Sequence, residues 1–267
     1  MEIKEYIKQV KEKMKNEISS LSIKPVLTII QVNEDEASKA YIKGKLKDAA
    51  EVGIIANLVK LPIDISEDDL IKEINKINED DSIHGLIVQM PLPKHINEDH
   101  IKLAVSYKKD VDGFHPLSKY NPCTPQGIIN YLKSNNEIIQ GKNALVIGRS
   151  NIVGKPMAKL LLKESANVTI THSKTTAEDM KFYVKHADII VVAVGKKDYL
   201  NKSFEFNPNA VIVDVGINRF EGKLYGDCEK DLPVRLQTPV PGGVGLLTRI
   251  TLLKNLMEAY YNGISNN

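Results

Sequence analysis

The stretch from Ala144 to Pro156 constrains the fold of this chain more than any other. An apolar, β-branched run ends at Gly148, and a helical pattern begins just beyond Gly154. A strand, a glycine turn and a helix in this order open a nucleotide-binding βαβ unit, in which amides at the helix N-terminus face an anion. Ser150 takes the place of the second glycine of G-x-G-x-x-G, and a proline replaces the magnesium-binding residue of a Walker P-loop. The stretch indicates a dinucleotide site, although a tight turn without ligand would show the same spacing.

Size and composition narrow the class of protein. The 267 residues suffice for two domains, and 42% hydrophobic with 26% charged residues is typical of a globular protein. A net charge of +2 argues against a nucleic-acid or membrane partner. The histidines show no metal-ligand spacing, so no metal is expected. Cys123 and Cys228 lie far apart without a partner motif, which favours a reducing cytoplasm.

Apolar strands and amphipathic helices alternate along both halves of the chain. This alternation predicts α/β architecture with parallel sheets, and the proline-marked stretch between His115 and Pro125 separates the halves. The predicted strands are Val26–Val32, Ile54–Leu61, Ile83–Gln89, Ala144–Ile147, Val168–Thr171, Asp188–Val194 and Ala210–Val215. The predicted helices include Ala37–Glu51, Lys155–Glu164, Ala177–His186, an N-terminal helix through Ile18 and a C-terminal helix after Gly245.

Helix starts carry local signals as well. Ser66 with Asp69, and Thr175 with Glu178, resemble capping boxes. Asn97 is expected to cap a short helix, and Thr124 followed by proline is expected to open another.

The first candidate chemistry lies on the helix after strand one. Ser38, Tyr41 and Lys45 are spaced i, i+3 and i+7, which puts them on one helical face. Short-chain dehydrogenases use a Tyr four residues before a Lys, but there the pair follows the nucleotide-binding strands. Here the pair precedes Gly148 by about a hundred residues. A solvated lysine beside a half-buried tyrosine would explain the same pattern.

Gln89 and Asp112 form a second candidate pair. Gln89 ends a predicted strand, at the edge where open α/β sheets bind ligands, and the prolines that follow would hold it rigidly. Asp112 lies in a turn-forming context. A glutamine at a strand end also serves as a satisfied polar cap.

The end of the second nucleotide-domain strand bears on the cofactor. An NAD enzyme would place an acidic residue there against the ribose hydroxyls, whereas this chain has His172, Ser173 and Lys174, with Arg149 in the first turn. These side chains suit a 2′-phosphate and include no carboxylate to repel it. The expected cofactor is NADP.

Six motifs in order resemble one family, the bifunctional methylenetetrahydrofolate dehydrogenase/methenyltetrahydrofolate cyclohydrolases (FolD). The resemblance runs from about Ser38 to Thr248. The motifs are Tyr41-x-x-x-Lys45, Val88-Gln89-Met90-Pro91-Leu92-Pro93, Asp110-Val111-Asp112-Gly113, Pro122-Cys123-Thr124-Pro125, Gly148-Arg149-Ser150-x-x-Val153-Gly154-x-Pro156 and Thr238-Pro239-Val240-Pro241-Gly242-Gly243-Val244-Gly245.

The resemblance implies two α/β domains flanking a cleft, in a homodimer. The first, folate-binding catalytic domain would comprise residues 1–120 and 248–267 and be completed by the C-terminal helix. The second, residues 121–247, would be an NADP-binding, Rossmann-like domain with a doubly wound parallel sheet.

The resemblance also implies residue roles. Lys45 would be the key catalytic residue, Tyr41 would stack along the folate, Gln89 would hydrogen-bond Lys45, and Asp112 would anchor the pterin ring. The implied cofactor-binding residues are Gly148, Arg149, Ser150, His172, Ser173 and Ile217. Gly242 and Gly243 would join Tyr41, Gln89 and Asp112 in binding substrate.

The implied function is NADP-dependent oxidation of 5,10-methylenetetrahydrofolate, followed by hydrolysis of the methenyl product to 10-formyltetrahydrofolate. Hydride transfer needs mainly alignment of two ligands, and hydrolysis needs an activated water, for which a neutral lysine beside a cation is a suitable base. The loops after Pro116 and Asp227 are shorter than in the family, and Leu246-Leu247 replaces a common Pro-Met. A dehydrogenase without cyclohydrolase activity and a non-catalytic binding module are the alternatives.

Overall fold

The structure is a computed structural model and describes residues 1–264. Helices and strands alternate along most of the chain. The helices are α1 (Ile3–Ser19), α2 (Glu36–Val52), α3 (Glu67–Glu79), α4 (Glu98–Ala104), α5 (Cys123–Ser134), α6 (Gly154–Lys163), α7 (Ala177–His186) and α8 (Val244–Ile264). The strands are β1 (Val26–Gln31), β2 (Ile55–Lys60), β3 (Gly85–Val88), β4 (Asn143–Ile147), β5 (Asn167–Thr171), β6 (Ile189–Val192), β7 (Val211–Asp214), β8 (Asn218–Phe220), β9 (Lys223–Tyr225) and β10 (Leu236–Gln237). Across residues 1–264, none of the helices has the length and apolar character needed to cross a bilayer.

The chain divides into two compact units. The N-terminal unit comprises Lys8–Cys123 and the chain from Arg249 onward, and the central unit comprises Met1–Ile7 and Thr124–Thr248. The first seven residues therefore group differently from the division expected from the sequence. The reason is local: the Tyr131 hydroxyl donates to the Met1 carbonyl at 3.1 Å, and the Tyr6 ring packs edge-on against Tyr131.

The N-terminal unit is built on a three-stranded parallel sheet in the order β2-β1-β3. One face of this sheet packs on α3 and α4 through a core that includes Ile30, Leu70, Leu86 and Ile101. Helix α8 packs against β3, where a Cβ on Gly85 would lie 2.6 Å from Leu256. The expectation that the C-terminal helix completes this unit is confirmed.

The central unit is a five-stranded parallel sheet in the order β10-β7-β6-β4-β5. The chain passes from β4 to β5 on one side and then crosses over to β6 on the other, so the sheet is doubly wound with its switch point between β4 and β6. Alternate residues of β4 enter different cores: Ala144 and Val146 one, Leu145 and Ile147 the other. Both faces are covered, as apolar parallel strands require. The predicted Rossmann-like α/β fold is confirmed.

Most helix starts follow the local signals, but two predictions were wrong. Ser66 and Asn97 cap α3 and α4 as expected. Thr124 lies inside α5, and its hydroxyl is 2.9 Å from that of Thr248. The cap of α7 is Thr176, which accepts from Asp179 N–H. Thr175 instead accepts from the His172 N–H, because it closes the turn that precedes the helix.

Candidate active site

Lys45, Tyr41 and Gln89 meet in the N-terminal unit. Lys45 is 4% exposed, and its Nζ donates to Gln89 Oε1 at 3.1 Å. The Gln89 amide is oriented by a second bond, from its Nε2 to the Met90 carbonyl at 2.7 Å, so its oxygen faces the lysine. Lys45 Nζ also lies 5.1 Å from the centroid of the Tyr41 ring, within cation–π range. The structure thus brings together three of the residues singled out from the sequence.

Helix α2 is held firmly where it carries Lys45. Its N-terminus is capped by Asp35, which accepts from Ser38 N–H. One turn beyond Lys45, Asp48 is buried and pairs with Arg249 at 2.8 Å and with Lys11 at 2.5 Å. Gly44 lets this happen, since a Cβ there would lie 1.8 Å from the Arg249 guanidinium. These contacts limit the rotation of α2 and therefore fix the direction of Lys45.

Asp112 lies in a loop organised by a neighbouring carboxylate. Asp110 is buried and accepts from Gly113 N–H at 3.1 Å and from His115 N–H at 2.7 Å. Burial raises the pKa of Asp110 to about 6, against these hydrogen bonds. Gly113 has φ +78°, where a Cβ would lie 2.6 Å from the Asn121 backbone. This packing forms the tight turn that follows Asp112.

Cys123 is a neighbour of this site that the residue-level reasoning did not single out. Burial raises the pKa of its thiol well above the usual range, and the charge of Asp112 adds to this effect. The positive charge of Lys45 acts in the opposite direction, and the thiol donates to the Val111 carbonyl at 3.3 Å. Asp112, Cys123 and Lys45 therefore share one electrostatic environment. The Pro122-Cys123-Thr124-Pro125 motif was the available signal for this residue.

In the central unit, the turn after β4 is shaped by close backbone contacts. Gly148 has φ +118°, and a Cβ on it would lie 2.3 Å from the Ala193 carbonyl oxygen. A Cβ on Gly154 would lie 2.3 Å from the Gly148 oxygen. Both positions need glycine, as the turn of a dinucleotide-binding unit does.

Ser150 determines which groups of the turn after β4 are available to bind an anion. Its Oγ accepts from Val153 N–H at 3.1 Å and from Gly154 N–H at 3.2 Å, and its carbonyl accepts from Lys155 N–H. Ser150 thus engages the first amides of α6, and the expectation that these amides face an anion stays a prediction. A phosphate at this turn would contact the Ser150 hydroxyl hydrogen and the exposed Arg149 side chain.

The loop after β5 presents further donors. His172 Nδ1 accepts from Lys174 N–H at 3.2 Å, which leaves Nε2 as the ring nitrogen that can donate to a ligand. Ser173 and Lys174 are exposed. From Thr171 to Thr176 the loop carries no carboxylate. Its donors and the glycine turn fit a dinucleotide with a 2′-phosphate.

The remaining predicted residues also lie in the central unit. Ile217 is 59% exposed and follows β7. Gly242 has φ +93°, and a Cβ on Gly243 would lie 2.1 Å from the Pro239 oxygen. The predicted substrate contacts are thus divided between the two units.

A doubly wound sheet with a glycine turn at its switch point, joined to an α/β unit that buries a Lys–Gln pair, defines a dinucleotide-dependent enzyme. The chain belongs to the tetrahydrofolate dehydrogenase/cyclohydrolase family. The family's catalytic-domain model matches residues 1–112, and its NAD(P)-binding-domain model matches residues 122–263.

Relatives of this family match nearly the whole chain. The bifunctional protein FolD of Listeria innocua is 45% identical, covering 96% of this chain and 95% of the relative. That of Enterococcus faecalis is 47% identical, covering 89% and 88%. The crystal structure of FolD from Campylobacter jejuni has a TM-score of 0.92 at 39% identity, covering 96% of each chain. The Trypanosoma brucei enzyme, complexed with NADP cofactor and inhibitor, has a TM-score of 0.93 at 29% identity, covering 99% of this chain and 97% of that one.

The family membership establishes the activity. The protein is a bifunctional enzyme that combines a methylenetetrahydrofolate dehydrogenase with a methenyltetrahydrofolate cyclohydrolase, and it uses a nicotinamide dinucleotide. The predicted family, enzyme class and cofactor class are confirmed.

Proposed function

We propose that Lys45, supported by Gln89 and Tyr41, serves both reactions at one substrate site, with Asp112 holding the pterin ring. The observation that carries this proposal is the hydrogen bond from the buried Lys45 amine to Gln89. A buried amine with one N–H directed at an amide oxygen keeps a defined position, which both alignment and proton transfer need.

In the dehydrogenase step, the substrate methylene carbon loses a hydride and becomes a methenyl cation. The bound dinucleotide supplies the hydride acceptor. The chain's own contribution is alignment: the Tyr41 ring offers a flat surface for the folate, and the Asp112 carboxylate accepts N–H bonds from the pterin. Gly242 and Gly243 add backbone contacts to the substrate.

In the cyclohydrolase step, water adds to the methenyl carbon and loses a proton. The positive charge on that carbon favours a neutral Lys45 amine by electrostatic repulsion, and the amine then accepts the water proton. The added hydroxyl then loses its proton as the bond from its carbon to N5 breaks, N5 takes up a proton, and 10-formyltetrahydrofolate is released. Gln89 acts through Lys45 by fixing the amine's direction.

We further propose that NADP is preferred over NAD. Arg149, His172 Nε2, Ser173 and Lys174 would bind the 2′-phosphate, with Gly148, Ser150 and Ile217 contacting the rest of the dinucleotide. The absence of a carboxylate from the loop 171–176 supports this preference.

The assignment of the units is proposed on the same grounds. The N-terminal unit would bind and transform the folate, and the central unit would bind NADP. The resemblance supports a homodimer. The buried free thiols of Cys123 and Cys228 support a cytoplasmic location.

The test mixes purified protein with 5,10-methylenetetrahydrofolate and NADP, and follows reduced cofactor, methenyl product and formyl product separately. We expect reduced cofactor and 10-formyltetrahydrofolate to accumulate together. Reduced cofactor with methenyl product only would indicate the monofunctional alternative. Tight binding of both ligands without turnover would indicate a binding module.

A further inference from the structure

Asp227 is a buried carboxylate that the catalytic roles above leave unused. Its side chain belongs to the central unit and has no solvent exposure. One oxygen accepts from Val194 N–H at 2.7 Å and Gly195 N–H at 2.9 Å. The other accepts from Lys196 N–H and Asn218 Nδ2, both at 2.9 Å. Four donors converge on one side chain because burial of an unpaired carboxylate would be very costly.

The segments that Asp227 holds follow two neighbouring strands at the binding edge of the sheet. Val194–Lys196 begins two residues after the end of β6, which flanks the switch point. The preceding residue, Ala193, is the one whose carbonyl approaches Gly148. Asn218 comes directly after Ile217, beyond the end of β7. One carboxylate thus joins the loop after β6 to the segment after β7.

Asp227 is itself held by a second carboxylate. Asp214, at the end of β7, accepts from Asp227 N–H and Cys228 N–H, each at 2.9 Å, and from Gly216 N–H. A Cβ on Gly216 would lie 2.2 Å from Asp227 Oδ1, so only glycine allows this approach. Nearby, Lys197 Nζ lies 3.9 Å from the centroid of the Tyr225 ring, which ties the same loop to the β8–β9 hairpin.

This network also explains where β6 ends. The sequence predicts a strand from Asp188 to Val194, but β6 stops at Val192. The Val194 and Gly195 amides donate to Asp227 and leave the strand direction, so the loop takes a shape that the strand pattern does not contain.

We propose that Asp227 is a positioning residue for the nicotinamide dinucleotide. By fixing Val194–Lys196 it shapes the loop that borders the Gly148 turn, and by holding Asn218 it shapes the segment that carries Ile217, so it preorganises the cofactor site. The inference rests on the proposed cofactor contacts at Gly148 and Ile217. A preorganised loop lowers the ordering cost of binding, so its loss should weaken cofactor affinity specifically.

The sharpest test is Asp227→Asn. Each carboxylate oxygen of Asp227 accepts two N–H groups. In either orientation the asparagine places its NH2 group, a donor, against two N–H donors, so two of the four hydrogen bonds are lost. We expect the KM and the Kd for NADP to rise about ten-fold, with the KM for methylenetetrahydrofolate unchanged. Hydrolysis of methenyltetrahydrofolate uses no dinucleotide, so its kcat/KM should stay within about two-fold of wild type. Asp231→Asn, at an exposed carboxylate of the same segment, is the matched control.

A second variant keeps the test decisive if Asp227→Asn does not fold. Asn218→Ala leaves the carboxylate in place and removes one of its donors, and we expect a rise of about five-fold in the Kd for NADP. An unchanged Kd in the folded variants, or a parallel fall of both activities, would overturn the proposal. The Kd is measured by calorimetry without folate, so it does not depend on turnover. Wild-type protein that binds NADP but shows no turnover would contradict the proposed function and leave the role of Asp227 intact.

Discussion

At the scale of single residues, the position of Lys45 depends on one well-oriented partner. Gln89 donates to the Met90 carbonyl and accepts from Lys45, so its amide cannot turn without losing both bonds. The carboxylate of Asp112 and the thiol of Cys123 lie in the same environment. The Lys45 amine therefore has a fixed direction and a carboxylate, that of Asp112, in its surroundings. Both features suit a group that transfers protons.

The first prediction concerns Lys45→Met, which keeps the length and apolar packing of the stem and removes the nitrogen. We expect cyclohydrolase activity to fall by ~10²–10⁴-fold, the usual contribution of a general base. Dehydrogenase activity should fall less, because alignment of the ligands remains. Both rates are measured on protein shown by circular dichroism to be folded and by calorimetry to bind NADP.

Lys43→Met is the control, since Lys43 lies on the same helix and is exposed. Adding Gln89→Ala to Lys45→Met should worsen hydrolysis little, because Gln89 acts through the lysine. Hydrolysis at the wild-type rate in Lys45→Met would refute the role assigned to this residue.

The second prediction concerns the choice of cofactor. Each charge-assisted contact to a 2′-phosphate contributes on the order of 1.5–3 kcal/mol, so kcat/KM should favour NADP over NAD about ten-fold or more. His172→Ala should lower kcat/KM with NADP and leave that with NAD unchanged. His186→Ala, at an exposed histidine on α7, is the comparison variant. Equal kcat/KM values for the two cofactors in the wild type would contradict the preference.

At the scale of elements, two tight turns determine whether the sites form. The turn after β4 depends on the contacts of Gly148 and Gly154, and the loop that carries Asp112 depends on the buried Asp110. An added side chain at Gly148 or a change in the charge of Asp110 should therefore change the free energy of unfolding.

The third prediction is that Gly148→Ala destabilises the protein far more than Gly141→Ala. Both glycines have positive φ, +118° at Gly148 and +73° at Gly141, and a left-handed backbone like that of Gly141 costs alanine about 1–2 kcal/mol. Only at Gly148 would the new Cβ meet a backbone atom, the Ala193 oxygen at 2.3 Å, whereas at Gly141 the space is open. We expect the Gly148 variant to lose several kcal/mol more in urea unfolding. Equal losses for the two variants would show that the close approach has no energetic weight.

The fourth prediction is a pH dependence of stability caused by Asp110. Its pKa is about 6 in the folded protein and about 3.8 when unfolded, so the folded state binds the proton more tightly. Its contribution to the free energy of unfolding is therefore greatest below pH ~4 and falls by about 3 kcal/mol as pH rises past 6.

Asp110→Asn removes this titration and adds a pH-independent offset. The difference in free energy of unfolding between wild type and variant, measured in urea from pH 4 to 7.5, should change with pH in the direction stated. The comparison cancels the other titrating groups, and a constant difference across this range would be inconsistent with the assignment.

At the scale of the whole molecule, the chain combines two units, each built on its own parallel sheet. In both, the first strand lies between the second and the third, in the orders β2-β1-β3 and β5-β4-β6. In both, the predicted site residues follow the carboxyl ends of the strands, the edge at which open α/β sheets bind ligands.

The fifth prediction tests the proposed division of labour. NADP at 100 times its Kd should raise the free energy of unfolding by about 2.7 kcal/mol, because it binds only the folded state. Hydrogen exchange should slow most in the segments 148–153, 172–175 and 194–196. Protection centred on α2 instead would contradict the assignment of the dinucleotide to the central unit. NAD at equal concentration serves as the comparison ligand.

Local interactions made much of the fold predictable from the sequence. The alternation of strands and helices, the caps at Ser66 and Asn97, and the helical face shared by Tyr41 and Lys45 depend on residues within a few positions of one another. The order of motifs along the chain indicated the family and hence the activity.

Tertiary structure alone decided which distant groups meet. Gln89 lies 44 positions from Lys45 and yet accepts its hydrogen bond. Asp227 ends the strand pattern of β6 from more than 30 positions away, and Tyr131 draws the first residues into the central unit. Such contacts arise from the packing of whole elements, and the sequence around each residue does not specify its distant partner. The sequence therefore determined the elements and the chemistry they carry, whereas the packed fold determined which carboxylate, amide or amine satisfies each buried group.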